Sequence, residues 1–154
     1  MIHGLLGKGD DLQVRLCDMV QAIAGNTRTL TRLNQEPEVR IALPQPVQLH
    51  KDEAVPVALV INELILNAVK HGDSTAALRR VQVLVSRVDG WVEVCVVNVG
   101  RLPADFDYAD EKGTGTGLGL VRSLLPHAGA QLRYEQLGEE VWARLQLGTP
   151  VILE

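Results

Sequence analysis

The chain has 154 residues, 46% of them hydrophobic and 22% charged, with a formal net charge of −4 and a sequence pI near 5.6. This suits one globular domain with a terminal extension, and scattered Lys and Arg with only five aromatic side chains leave no electrostatic or stacking footprint for nucleic acid. No apolar run reaches membrane-span length, MIHGLLGKGDD has no signal-peptide core, and Cys17 and Cys95 lack the neighbours a zinc site or disulfide framework needs, so the chain reads as cytoplasmic, without membrane contact of its own.

Asp10 or Asp11 is placed to cap a first helix running to about Leu33, with Leu12, Val14, Leu16, Met19, Val20, Ile23, Leu30 and Leu33 in an imperfect helical period. Gly25 and Asn26 are expected to weaken or break it. Val39 to Leu43 and Val47 to Leu49 are short strand candidates, separated by Pro44-Gln45-Pro46, which suits a turn or a sheet edge. Cys95 lies in a Val-rich run and reads as a small buried residue.

Asp52 is expected to cap the second helix, with Pro56 near its first turn and Gly72 at its end. Ala54, Val57, Ala58, Ile61, Leu64, Ile65, Ala68 and Val69 follow the 3,4 spacing of a helix packed on a core. Glu63, Asn67 and Lys70 interrupt this apolar pattern at i, i+4 and i+7, and so share one face. A carboxylate, a carboxamide and an ammonium in line suit a metal ion and an anion. A solvated helix face is the plainer alternative.

Val81 to Val88 and Trp91 to Val99 are β-branched runs joined by Asp89-Gly90, a dipeptide that favours a type I′ hairpin turn. Residues 100 to 117 lack a period and read as a long functional loop, with a helix following from about Leu118 to Leu125, stopped by Pro126. Two strands close the chain, near Gln131 to Leu137 and Val141 to Leu147, hinged at Gly138. This order predicts an α/β fold: a two-layer sandwich in which a mixed, mostly antiparallel sheet is covered on one face by helices.

The loop ends in GTGTGLGL, whose alternating glycines allow close backbone approach and whose helix-start amides suit phosphate; a flexible hinge is the competing reading. It is neither a P-loop nor a G-x-G-x-x-G turn.

Taken in order, ELILNAVKHG, a hairpin ending VVNVGRLP and GTGTGLGLV resemble the ATP-binding domain shared by sensor histidine kinases, gyrase-type topoisomerases and heat-shock chaperone ATPases, over roughly residues 39 to 147. Asn62 to His71 is closest in wording to bacterial histidine kinases, N-E-L-x-x-N-A-x-K-H. The resemblance implies ATP and Mg²⁺ as ligands. Asn67 would be the metal ligand, Glu63 would face the same region with a catalytic part, and Lys70 would contact phosphate. His71 would border the nucleotide, or else cap the helix end. Gly113, Thr114, Gly115, Thr116, Gly117, Leu118 and Gly119 would wrap the triphosphate, with residues 103 to 112 as a lid.

Asn98 and Gly100 stand where the family has Asp-x-Gly-x-Gly, so base recognition would fall to an amide, and the second glycine of that box is replaced. The resemblance further implies transfer of the γ-phosphoryl group to a histidine in another segment or protein, because His3, His50 and His127 lack the expected helical context. Residues 1–36 resemble the end of a dimerisation and phosphoacceptor hairpin, a route to a homodimer, and 37–154 the catalytic domain. A histidine-bearing dimerisation domain or phosphotransfer partner and a downstream response regulator would be its partners, and the chain would be the soluble part of a sensor. An anti-sigma-factor serine kinase of the same superfamily, or a degenerate interaction module, are the alternatives.

Overall fold

The computed structural model describes residues 13–31, 37–71, 81–102 and 121–153. Strand β1 (Gln13–Arg15) leads directly into helix α1 (Leu16–Thr31), and strands β2 (Glu38–Ala42) and β3 (Gln48–His50) precede the long helix α2 (Lys51–His71). Five further strands follow: β4 (Val81–Val88), β5 (Trp91–Val99), β6 (Ala130–Leu137), β7 (Glu140–Leu147) and β8 (Ile152–Leu153).

The main sheet has five strands in the order β2-β4-β5-β7-β6. Every neighbouring pair is antiparallel except β2 with β4, which run parallel. Parallel neighbours need a crossover, and α2 is carried by the segment that joins them. It packs on β4 and β5 as well as on α1. The inner sheet face supplies Val81, Val83, Val85, Val92, Val94, Val96, Ala143 and Leu145 to a core shared with Leu16, Met19 and Val20 of α1 and with Val57, Ile61, Leu64 and Ile65 of α2. This is the two-layer α/β arrangement expected from the order of elements.

The Asp89-Gly90 hairpin forms as read: both residues have positive φ, 52° and 85°, as a type I′ turn requires. Gly138, at φ 60°, opens the β6–β7 turn. The 121–124 helical turn ends before Pro126.

Four local expectations are corrected. The first helix does not start from Asp10 or Asp11: Gln13–Arg15 is a strand, because it pairs antiparallel with β3 and brings Val14, 2% exposed, opposite Leu49. Gly25 and Asn26 do not break α1, which runs through both. A mid-helix glycine costs about 1 kcal/mol, and the burial of Leu16, Met19, Val20 and Ala24 on one face outweighs it.

Asp52 is not the cap of α2. The strand hydrogen bonding continues to His50, whose N–H donates to Val151 O, so the helix starts at Lys51 and the His50 ring accepts from Asp52 N–H at 3.1 Å. Asp52 instead lies in the first turn, where its charge meets the positive end of the helix dipole. Finally, the strands do not all lie in one sheet. The Pro44–Pro46 turn diverts the chain, and β3 sits between β1 and β8 in a separate three-stranded sheet.

Where β6 meets the β7–β8 connection the backbone is tight. Gly129 has φ 80°, and a Cβ there would lie 2.7 Å from Gly148 O and 2.8 Å from Thr149 O. Both obstacles are main chain and cannot swing aside. Gly129→Ala is therefore expected to lower stability by about 2 kcal/mol or more, read as an earlier urea midpoint. An unchanged midpoint would contradict this geometry.

Candidate functional site

Two structural elements bring polar groups into an otherwise apolar layer. The first is the second half of α2. Leu64, Ile65 and Ala68 are buried, whereas Glu63 and Asn67, one turn apart, are half-buried. Neither of the two makes a side-chain hydrogen bond or ion pair among the described residues, so their oxygens are uncommitted. Lys70 and His71 stand on the last turn of the same helix.

The second is the end of β5. Asn98 follows Val92, Val94 and Val96 at every second position, so it shares their inward face, in register between Val81 of β4 and Val141 of β7. It is 7% exposed. Its Nδ2 donates to Val99 O at 3.2 Å, which leaves the Oδ1 acceptor without a partner among the described residues. A buried polar atom left unpaired costs about 1–3 kcal/mol, which makes it a natural place for a ligand donor. Nine residues separate α2 from β4, whose first residue, Val81, lies beside Asn98.

Past Asn98 the chain is held closely. Gly100 N–H donates to Glu139 O at 2.9 Å, and Leu102 N–H donates to the Gln136 Oε1 at 2.8 Å. Gly113, Thr114, Gly115, Thr116, Gly117, Leu118 and Gly119, with the lid expected at 103 to 112, lie outside the described residues. Among the described residues no three His, Cys, Asp or Glu side chains form a metal cluster.

A polar group that the sequence reading missed occupies the other sheet face. Glu93, 4% exposed, accepts from Arg144 Nη1 at 2.9 Å, from Gln146 Nε2 at 2.9 Å and from the Cys95 thiol at 3.0 Å. Arg144 also pairs with Glu135 and lies 4.8 Å over the Trp142 ring. Burial pushes the Glu93 carboxyl up, but its hydrogen bonds with Cys95 and Gln146 and the charge of Arg144 outweigh that, and it sits below its usual value. Burial and the adjacent carboxylate push the Cys95 thiol up to about 12, so it is a proton donor here and not a nucleophile. The signal was available: an acidic residue in β5 and a basic one in β7, each interrupting an apolar run.

A family model described as a histidine kinase-like ATPase domain matches residues 13–145. The chain belongs to this family. Sensor histidine kinase PdtaS of Mycobacterium tuberculosis is 29% identical over 127 residues, covering 81% of this chain and 25% of the relative. The chain thus spans a quarter of that protein. The histidine kinase domain of the Erythrobacter litoralis EL346 blue-light activated histidine kinase has the same fold, at a TM-score of 0.71 and 24% identity, over 87% of this chain and 65% of that one. Acinetobacter baumannii histidine kinase AdeS follows at 0.67 and 15% identity, over 90% and 66%. The histidine kinase-like ATPase fold accounts for the helices on one face of a mixed sheet. No helix among the described residues is long and apolar enough to cross a membrane.

Proposed function

We propose that this chain is the Mg-ATP-binding catalytic domain of a two-component sensor histidine kinase and passes the γ-phosphoryl group to a histidine in another segment or protein. The observation that carries the reading is the uncommitted pair on α2: Glu63 and Asn67 are half-buried beside the core residues Leu64, Ile65 and Ala68, and neither side chain has a polar partner among the described residues.

Those donors fit a hard, oxygen-preferring cation that keeps several waters and takes further ligands from phosphate. Asn67 would hold Mg²⁺, with Glu63 facing the same region and Lys70 contacting phosphate. When bound, the ion supplies charge neutralisation across the phosphate oxygens. Gly113, Thr114, Gly115, Thr116, Gly117, Leu118 and Gly119 would wrap the triphosphate, and His71 would border the nucleotide. Asn98 would read the base. One Nδ2 hydrogen goes to Val99 O, and the Oδ1 acceptor, without a partner among the described residues, matches the amino donor of adenine.

In the transfer itself the acceptor imidazole nitrogen attacks the γ-phosphorus, and the bond to the β,γ-bridging oxygen breaks, leaving ADP. The protein's part is chiefly positioning and charge stabilisation. The acceptor would lie on a histidine-bearing helical hairpin, and a response regulator would take the phosphoryl group from it. A cytoplasmic setting follows from that partnership.

Titration calorimetry with Mg-ATP and Mg-GTP tests the site, and transfer from γ-labelled ATP to a histidine-bearing hairpin tests the reaction. Binding of Mg-ATP at least about tenfold tighter than Mg-GTP is expected, equivalent to one well-placed hydrogen bond. An acid-labile phosphorylated product is expected. An acid-stable product would move the assignment to a serine kinase, and no nucleotide binding would overturn the reading.

A further inference from the structure

A second amide lies in the same row of the main sheet as Asn98, on a different strand. Gln136 of β6 pairs with Val141 of β7, and Val141 pairs with Asn98, so the two amides occupy one row of the sheet on the same face, two strands apart. Half-buried Gln136 is tied on both sides of its carboxamide. Its Nε2 lies 3.0 Å from Gly100 O, 3.0 Å from Gly138 O and 3.2 Å from Glu140 O. Its Oε1 accepts from Leu102 N–H at 2.8 Å.

We propose that Gln136 is a positioning residue for nucleotide recognition: its carboxamide clamps Gly100 and Leu102, the chain leaving Asn98, against the β6–β7 turn. The inference rests on the reading of Asn98 as the base acceptor. The physical need is clear. Leu102 occupies the place where the family has its second glycine, and a loop lacking that freedom requires another device to hold its course. Gln136 supplies it by satisfying the Gly100 carbonyl and the Leu102 amide together, beside the main-chain bond from Gly100 N–H to Glu139 O. Both amide hydrogens of Nε2 are engaged, so the side chain is fixed in direction. A loop so held keeps Asn98 and Val99 in one conformation, with the Asn98 acceptor free.

Gln136→Leu keeps the bulk and removes both polar ends. Mg-ATP affinity by calorimetry is expected to fall roughly tenfold, the weight of one to two hydrogen bonds. The preference for ATP over GTP is expected to shrink by a similar factor, which a mere loss of folded protein does not produce, since that weakens both nucleotides alike. Gln136→Asn, one methylene too short to reach both sides, is expected to do the same. In the unaltered chain, the Gln136 side-chain amide resonances are expected to shift when Mg-ADP is added.

Wild-type affinity and selectivity in a folded variant would refute the clamp while leaving the ATP site intact. So would Gln136 resonances unmoved by saturating Mg-ADP. If the unaltered chain binds no adenine nucleotide, the reading of Asn98 fails and this inference falls with it.

Discussion

Replacing Asn67 with Ala is expected to abolish Mg²⁺-dependent ATP binding and leave the fold intact. Asn67 is half-buried on α2, and its side chain makes no hydrogen bond among the described residues, so the helix loses no contact that holds the domain together. Alanine is the better helix former, by up to about 0.7 kcal/mol, and the melting temperature should stay level or rise slightly. The cost falls on the ligand. Losing an outer partner of a metal typically weakens affinity 10–100-fold, so losing a direct ligand is expected to exceed about 100-fold. Calorimetry with Mg-ATP decides it, and unchanged affinity in a folded variant would remove Asn67 from the site.

Glu63→Gln provides the contrast. It keeps the shape and one oxygen donor, so binding is expected to persist while turnover falls, if the carboxylate acts on a proton or organises water at the metal.

Arg144→Met is expected to cost about 3 kcal/mol of folding stability at neutral pH, because it leaves the Glu93 carboxylate buried without its cation. Gln146 and the Cys95 thiol would still donate to Glu93, which keeps the loss near the lower end of the range for breaking a buried pair. The pH dependence follows from the same contacts. The folded Glu93 carboxyl lies below its usual value, so its stabilising contribution is present above the unfolded value, about 4.3, and is lost as pH falls through the lower folded value.

Without Arg144 the carboxyl rises, and the acid loss begins at a higher pH. Urea midpoints measured from pH 7 down to pH 3 check both statements. A midpoint unchanged at pH 7 would mean that the pair is replaceable by packing alone. In Glu93→Gln/Arg144→Met the two losses are expected to be less than additive, since the second change removes the orphaned charge. At the alkaline end the raised Cys95 thiol contributes stability below its unfolded value, lost as pH climbs towards about 12.

These two predictions concern a helix packed on one face of the main sheet and a pair on the other face, and they differ in how they were legible. The Asn67 stripe was visible in the chain because a helix repeats every 3.6 residues and a polar side chain in the apolar register stands out within ten residues. Asn98 was visible only as a departure from a family pattern. Its burial and its free acceptor required β4 and β7 on either side of β5. Glu93 and Arg144 were each visible as interruptions in an apolar run, but 51 residues separate them, and only the β5–β7 register makes them a pair.

The sequence by itself determined the elements whose causes are local. The Asp89-Gly90 turn needs two residues with positive φ, and α2 needs a 3,4 apolar period, and both form where the chain says. Tertiary structure decided what depends on distant partners. Gln13–Arg15 became a strand because β3 was there to pair with it, and the two residues of β8 carry no strand signal of their own. His50 became the cap of α2 because the β3–β8 pairing carried the strand up to it. The Gln136 clamp formed because a single amide met Gly100 and Leu102 across the sheet. Hydrogen bonds between strands have no period along the chain to announce them, so their partners are chosen only when the core closes.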